Sequence, residues 1–397
     1  MSTKHFDFTG KRVLVTGGTG FIGGRLVERL VLEYNAEVRV LVRNFATASR
    51  IARFPIEMFP GDLTEPQDVV KAVDKCEIVF HCAYGNVGSN DLRQLVNVEG
   101  TKNLLDAALH KGVRRVVHLS TAAVYGVTPD GDFDETFPRR YVGHPYSDSK
   151  LDAEKIALSY AERHDLGVSV IQPTVVYGPF APVWTVNVLQ KLKTGRVILV
   201  NGGEGLCNAV YVDDVVNAIF LAAEKEGAVG EAFLICSERP VTWADYFKSY
   251  GSMLRSFETV SMSSAEAETF FTSMQQKKNG RSIFLEPFHI IREEPLVRER
   301  IRRTREIEAL KRVARAVLPE RIRLSLKKRH GSRQLVTTDN NKPTHVLDPF
   351  AIEFYAAKTR ARIEKAERTL GYKPVFDFES GMKLTEKWAR WANLLEK

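Results

Sequence analysis

Cysteine is scarce in this chain: Cys76, Cys82, Cys207 and Cys236 are the four it has in 397 residues. No two of them form a CxxC pair, so neither a disulfide framework nor a zinc site is expected, and no metal is assigned. A reduced, cytoplasmic protein is the plain reading. No apolar run approaches the ~18 residues of a membrane span. Met1 to Gly10 mixes Lys4, His5 and Asp7 among aromatics, so no signal peptide is expected. Glycine (27) and proline (16) are too few for a collagen-like or low-complexity chain.

A surplus of charge is missing from most of the chain as well. Net charge is +8, and residues 291–330 alone carry 14 Lys/Arg against 6 Asp/Glu, so the remainder is balanced. No nucleic-acid-binding surface spread over the fold is expected. What is present is core material: 44% apolar residues with 27% charged. The length allows two or three domains at roughly 100–200 residues each.

From Lys11 to Pro173 short Val/Ile-rich runs alternate with helical stretches. The runs Arg12–Val15, Val38–Val42, Ile78–His81, Val113–Leu119 and Val168–Ile171 are nearly continuous, as in strands buried on both faces of a parallel sheet. Helical periodicity marks Phe21–Tyr34, Gln67–Val73, Leu92–His110 and Ser147–Arg163. This repetition predicts an α/β fold with a doubly wound parallel sheet, a Rossmann architecture. Beyond Pro173 the spacing predicts helices at Trp184–Thr194, Asp213–Ala223, Lys358–Leu370 and Gly381–Leu395, and strands at Val197–Val200 and Ala232–Ile235. Residues from about Tyr250 to Asn341 fit no βα rhythm.

The strongest motif, Thr16-Gly17-Gly18-Thr19-Gly20-Phe21-Ile22-Gly23, follows the first strand and opens the first helix. Gly17 permits the tight turn, Gly20 lets backbone approach a pyrophosphate, and Gly23 lets helix pack on strand. The helix N-terminus then offers its N–H groups to phosphate. Twenty residues past Gly23 stands Arg43, where an acidic residue would suit the ribose hydroxyls of NAD. A cation there pairs with a 2′-phosphate, so NADP is favoured over NAD. Asp62, in Gly61-Asp62-Leu63, is placed to accept from the adenine amino group.

Tyr146 and Lys150, in Tyr146-Ser147-Asp148-Ser149-Lys150, lie one helical turn apart on one face. A phenol with a pKa near ~10 is a poor base at neutral pH, and a neighbouring cation lowers that value. The pair starts the helix after a strand ending in Leu119-Ser120-Thr121.

With these pieces the chain resembles the extended short-chain dehydrogenase/reductase family, the NAD(P)-dependent epimerase/dehydratase group. The resemblance covers about residues 11–236 and resumes at residues 363–374. It is carried by the glycine loop, Gly61-Asp62-Leu63, Asn97-Val98-Glu99-Gly100-Thr101, Ser120-Thr121-Ala122-Ala123-Val124-Tyr125-Gly126, Tyr146 with Lys150, Pro173 through Tyr177-Gly178-Pro179, and Tyr211-Val212-Asp213-Asp214. It implies that Tyr146 exchanges the hydroxyl proton, that Lys150 binds the nicotinamide ribose and tunes Tyr146, and that Thr121 bonds the reacting oxygen. It further implies that Asn97, His81, Ala83 and Pro173 line the cofactor groove with Leu63, and that Phe21 and Ile22 sit beside the pyrophosphate. Asp213 and Asp214 read as a structural cap before a helix. A homodimer through Leu92–His110 and Ser147–Arg163 is also implied.

The chain departs from nucleotide-sugar dehydratases at Ala122 and Ala123, where those relatives resemble one another in an Asp-Glu pair. Val175 stands in place of an Asn that contacts a diphosphate, and Leu206-Cys207-Asn208 in place of an Arg. Arg139, Arg140, Lys191 or Arg196 remain as phosphate contacts. The leading substrate reading is a sugar or nucleotide sugar, with epimerisation or net redox chemistry, and the alternative is a lipid-like, hydroxysteroid-type alcohol. A non-catalytic, cofactor-sensing module is the third reading.

The expected organisation is a dinucleotide-binding domain over 1–175, receiving segments around 205–236, and a smaller substrate-binding lobe over 176–397. The lobe includes a basic helical insertion at about 255–340. Glu294 to Leu318 has apolar residues near helical spacing with arginines on the other faces. Residues 291–330 therefore read either as a solvated helix capping the lobe or as a peripheral contact with anionic lipid at the inner membrane face or an acidic partner.

Overall fold

The computed structural model describes residues 8–85, 89–164, 166–282 and 342–395. The chain divides into two compact units, Met1–Thr269 with Thr344–Lys397, and Phe270–Pro343. In chain order the first part runs β1 (Arg12–Thr16), α1 (Phe21–Leu32), β2 (Glu37–Val42), β3 (Glu57–Pro60), α2 (Pro66–Val73) and β4 (Ile78–His81). Then come α3 (Asn90–Gln94), a π-helical turn at Leu95–Glu99, α4 (Gly100–His110), β5 (Arg115–Leu119), a short 3-10 turn at Ala122–Tyr125 and β6 (Gly131–Phe133). The sequence continues through α5 (Pro145–Arg163), β7 (Gly167–Pro173), β8 (Val175–Tyr177), α6 (Asn187–Thr194), β9 (Arg196–Val200), β10 (Leu206–Cys207) and β11 (Ala209–Tyr211). It goes on with α7 (Val212–Glu224), β12 (Ala232–Ile235), β13 (Val241–Thr242), α8 (Trp243–Gly251), β14 (Glu258–Met262) and α9 (Ser264–Ser282). It closes with α10 (Pro349–Ala356), β15 (Thr359–Ala361), α11 (Glu364–Leu370) and α12 (Phe378–Trp391).

Seven strands form one parallel sheet in the order β12-β7-β5-β4-β1-β2-β3. Its inner strands are buried end to end because Val, Ile and Leu cover both faces: Val13, Leu14, Val79 and Val116 are fully shielded. Strand order reverses between β1 and β4, which pair in register from Val13–Ile78 to Thr16–His81. In an open α/β sheet that reversal leaves a crevice at the carboxyl ends of the strands. The Rossmann expectation therefore holds, and the glycine loop leaves β1 at the crevice.

Several local expectations are corrected. Leu92–His110 is not one uniform helix: the π-helical turn carries Asn97 inward, with Thr101 Oγ1 donating to the Asn97 carbonyl at 2.6 Å. Lys358–Leu370 is not a helix throughout, since Thr359–Ala361 pairs as a strand with β6 before α11 begins. The stretch after Tyr250, read as fitting no βα rhythm, opens with a strand followed by a helix: β14 pairs with β9, and α9 follows it. The basic segment 291–330, and most of the insertion expected at 255–340, lie outside the described residues.

Beyond the sheet, short strand pairs surround an aromatic cluster. Trp243, Tyr246, Tyr250 and Tyr355 are buried there, and Trp184 and Phe354 lean on Trp243 with ring centres 5.6 Å and 5.5 Å away. Asp213 and Asp214 do not cap their own helix. Asp213 takes Arg25 Nε of α1 at 2.6 Å, and Asp214 accepts the backbone N–H groups of Val375 and Phe376 at 2.9 and 3.1 Å. They tie α7 to α1 and to the segment leading into α12.

Candidate active site

The glycines are required where the loop meets neighbouring backbone. Gly17 has a positive φ of 70°, and a Cβ on it would lie 2.6 Å from the backbone of Cys82 and Ala83. A Cβ on Gly23 would lie 2.4 Å from the Gly17 carbonyl oxygen. Gly20 is the extended N-cap of α1 and offers no side-chain cap, so the first N–H groups of the helix have no capping oxygen. Phe21 and Ile22 form that first turn. Arg50 braces it, donating to the Phe21 carbonyl at 3.1 Å while its guanidinium lies 4.1 Å from the Phe180 ring. Helix-start N–H groups that no side chain caps among the described residues, on glycines that leave no room for side chains, fit a coenzyme pyrophosphate.

Arg43 stands exposed just past β2 and has no hydrogen bond or ion pair among the described residues. Asp62 Oδ1 is engaged in its own turn, accepting both the N–H and the hydroxyl of Thr64 at 3.0 Å. Leu63 is buried, and its carbonyl takes Asn103 Nδ2 at 3.0 Å.

His81 faces the interior. Its Nδ1 meets Thr16 Oγ1 at 2.7 Å and its Nε2 meets Thr101 Oγ1 at 2.9 Å. Burial pushes its pKa down to about 3, with the Lys150 charge adding to the effect, so the ring is neutral. Ala83 closes against Gly17, and Pro173 ends β7 opposite Ile235 of β12. Asn97 holds the loop after β4: its Oδ1 accepts Gly85 N–H at 2.7 Å, and its Nδ2 donates to Ser149 Oγ at 3.2 Å.

Burial raises the pKa of the Tyr146 phenol, and the neighbouring Thr121 side chain opposes that rise. Lys150, one turn further along α5, is 5% exposed and donates its ammonium to the Leu119 carbonyl at the end of β5. Burial pulls Lys150 down to about 8, with Cys82 and Glu154 pulling it back up. The three expected catalytic side chains thus converge at the ends of β5 and the start of α5.

Sequence reasoning missed two features of this place. One is an aromatic wall beside Tyr146: Tyr84 packs edge-on at 5.0 Å, and His144 lies at 6.4 Å with Phe350 stacked on it at 5.0 Å. Phe354 and Trp184 continue the row. These residues lie far apart in the chain, so no local spacing announces them. The other is Glu154, wholly buried one turn after Lys150. It accepts Ser120 Oγ at 2.5 Å and Gln172 Nε2 at 2.8 Å. Arg139 Nε lies 2.7 Å from Oε1, the oxygen that takes Gln172 Nε2 at 2.8 Å, an ion pair whose N–H is not aligned for a hydrogen bond. Its position four residues after Lys150 was a legible signal.

Crevice, glycine cradle and Tyr-Lys helix define a dinucleotide-dependent Rossmann enzyme. A family model, the NAD dependent epimerase/dehydratase family, matches residues 13–236. The chain belongs to that family and is an NAD(P)-dependent enzyme of the extended short-chain dehydrogenase/reductase type. It is 32% identical over 246 residues to a dTDP-D-glucose 4,6-dehydratase of Mus musculus, covering 57% of this chain and 68% of that one. It is 31% identical over 252 residues to a 3-beta-hydroxysteroid dehydrogenase of Mycolicibacterium neoaurum, covering 59% and 68%. Nearly the whole chain, 95%, aligns at 25% identity with 97% of a decarboxylating sterol-4-alpha-carboxylate 3-dehydrogenase of Candida albicans. Among solved structures, an epimerase from Methanothermobacter thermautotrophicus superposes with a TM-score of 0.69 at 18% identity, covering 98% of this chain and 95% of that one. A Streptomyces venezuelae dTDP-glucose 4,6-dehydratase with NAD bound gives 0.63 at 21%, covering 96% and 97%. These likenesses show the fold. Among the described residues no helix is long and apolar enough to cross a membrane.

Proposed function

We propose that the chain catalyses hydride transfer between NADP and a secondary alcohol or ketone on a lipid-like, ring-bearing substrate. The coenzyme, when bound, supplies or accepts the hydride. Tyr146 passes the hydroxyl proton to or from the reacting oxygen, and Thr121 bonds that same oxygen and fixes its distance from the phenol. Lys150 holds the nicotinamide ribose, and its charge favours the tyrosinate form. The observation that carries this reading is the buried Lys150, one turn after Tyr146 on α5, anchored on the Leu119 carbonyl two residues before Thr121. Gly17, Gly20, Phe21, Ile22 and Gly23 cradle the pyrophosphate, and the unpartnered Arg43 pairs with a 2′-phosphate. Coenzyme binding falls to residues 1–175 with 205–236, and substrate binding to the lobe over 176–397.

The substrate class follows from what surrounds Tyr146. Tyr84 and His144 lie beside it as rings with one polar tip each, and Phe350 and Phe354 extend the row with wholly apolar rings. Val175 is buried in β8, where it pairs with Ala209 of β11. Arg139 is committed to Glu154 rather than free for phosphate. Ala122 and Ala123 supply no acid or base for elimination. The likeness to the sterol dehydrogenase along almost the full chain supports the same choice.

Titration with NADPH and NADH, followed by a panel of 3β-hydroxysteroids, UDP-glucose and dTDP-glucose assayed with NADP+ and NAD+ and read by nicotinamide absorbance, tests the proposal. Turnover with the steroids, abolished in Tyr146→Phe while coenzyme affinity persists, is expected. Turnover confined to nucleotide sugars overturns the substrate class, and full activity of Tyr146→Phe overturns the mechanism.

A further inference from the structure

Glu154 is a carboxylate taken entirely out of water, and such a group is costly unless its charge is matched. Three different elements match it. Ser120 comes from the end of β5, Gln172 from the end of β7, and Arg139 from the loop before α5. Gln172 is held in turn by Tyr125, whose hydroxyl donates to Gln172 Oε1 at 2.9 Å. The cluster sits directly behind the reacting residues: Ser120 precedes Thr121, and Lys150 is one helical turn before Glu154. A buried charge pair with an arginine is weak support for stability, since an apolar replacement is commonly as stable, so its upkeep points to another task.

We propose that Glu154 is a positioning residue for the reacting pair, fixing Thr121 through Ser120 and keeping Lys150 cationic from one turn away. This rests on the reading of Lys150 as the ribose-binding cation. The groups acting on Lys150 come from three elements: Cys82 just past β4, Glu154 on α5, and the two neutral imidazoles of His81 on β4 and His118 on β5. Burial pushes the Cys82 thiol up to about 12, so it carries no charge at neutral pH. Both imidazoles are held neutral by burial. Glu154 is then the one anion among them, and Arg139 is the cation that partly offsets it. The cluster therefore has a polarity: removing the anion and removing its counter-cation act on Lys150 in opposite directions.

The test reads the affinity of the purified full chain for NADPH and NADH, by coenzyme fluorescence, across a pH series. Wild type should lose affinity as pH rises through about 8, where Lys150 gives up its proton. Glu154→Gln, which keeps an acceptor for Ser120, should move that midpoint about one pH unit towards acid. Arg139→Gln, a change at a partly exposed side chain, should move it towards base. A structural role alone would shift the melting temperature and leave both midpoints in place. Midpoints that stay put, or that move in the same direction, overturn the proposal. If Glu154→Gln does not fold, the direction of the Arg139→Gln shift decides. Lys150→Met keeping the alkaline loss would instead sink the assignment of Lys150, a separate failure.

Discussion

The imidazoles of His81 and His118 lie side by side at one register position of the β4–β5 pair, ring centres 5.1 Å apart. His81 spends both nitrogens on threonines, whereas both nitrogens of His118 lack a partner among the described residues. Burial holds both pKa values far down, that of His81 at about 3. In the unfolded chain each imidazole takes a proton near ~6.5, while in the native state it does so only under strong acid. The unfolded state thus binds more protons below about pH 6.5, and stability falls as pH drops from there. Each histidine contributes a slope of about 1.4 kcal/mol per pH unit. Urea midpoints of wild type and His118→Leu across this range should diverge as pH falls, the variant losing less. Parallel curves would show that His118 is not carried neutral in the fold.

Arg43 is exposed and has no hydrogen bond or ion pair among the described residues. Arg43→Ala should leave the melting temperature unchanged and weaken NADPH binding roughly tenfold or more, with NADH affected little. Fluorescence titration with both coenzymes checks it. Equal loss for the two would mean that the side chain contacts a part they share.

The sheet was legible in the sequence because parallel strands buried on both faces must be apolar throughout, and the runs at Ile78–His81 and Ala232–Ile235 coincide with observed strands. The glycine loop and the Tyr146–Lys150 spacing were legible because local geometry fixes both. What was lost depends on distant partners. Thr359–Ala361 becomes a strand because Gly131–Phe133 pairs with it, more than two hundred residues away in the chain, and nothing near Lys358 says so. Helix α10 did have a local signal: Asp348 accepts Ala351 N–H at 2.8 Å ahead of Pro349, a cap that periodicity over Phe350–Ala356 does not reveal. The wall at Tyr146 joins residues 84, 144 and 350, which meet only in the fold.

Gly17 and Gly112 have nearly the same positive φ, 70° and 69°, yet Gly17 faces backbone at 2.6 Å and Gly112 faces open space. Gly112→Ala should cost about 1 kcal/mol from backbone strain alone and leave coenzyme binding intact. Gly17→Ala adds a clash with Cys82 and Ala83, so it should cost a further 1–3 kcal/mol, roughly. It should also displace the loop from the N-terminus of α1 and reduce NADPH affinity at least tenfold. Thermal melts with paired titrations separate the two contributions. Equal behaviour of the variants would mean that the loop tolerates a side chain and that the cradle is not as tight as these distances require.

Phe350 stacks on His144 with planes 10° apart, and His144 reaches Tyr146, so the phenyl ring lies one residue removed from the proposed proton donor. It is half-buried, and its other neighbour is Phe354, ring centres 6.5 Å apart. If these rings form the wall for an apolar substrate, Phe350→Ala removes apolar contact area at about 25 cal/mol per Å². A phenyl face of about 60 Å² then corresponds to roughly 1.5 kcal/mol, or about a tenfold rise in KM for a steroid alcohol. Phe350→Leu should restore most of it, because the contact is non-directional. In both variants kcat should hold within about twofold, since neither touches Thr121, Tyr146 or Lys150. A fall in kcat with KM unchanged would place Phe350 in orienting His144 rather than in binding substrate.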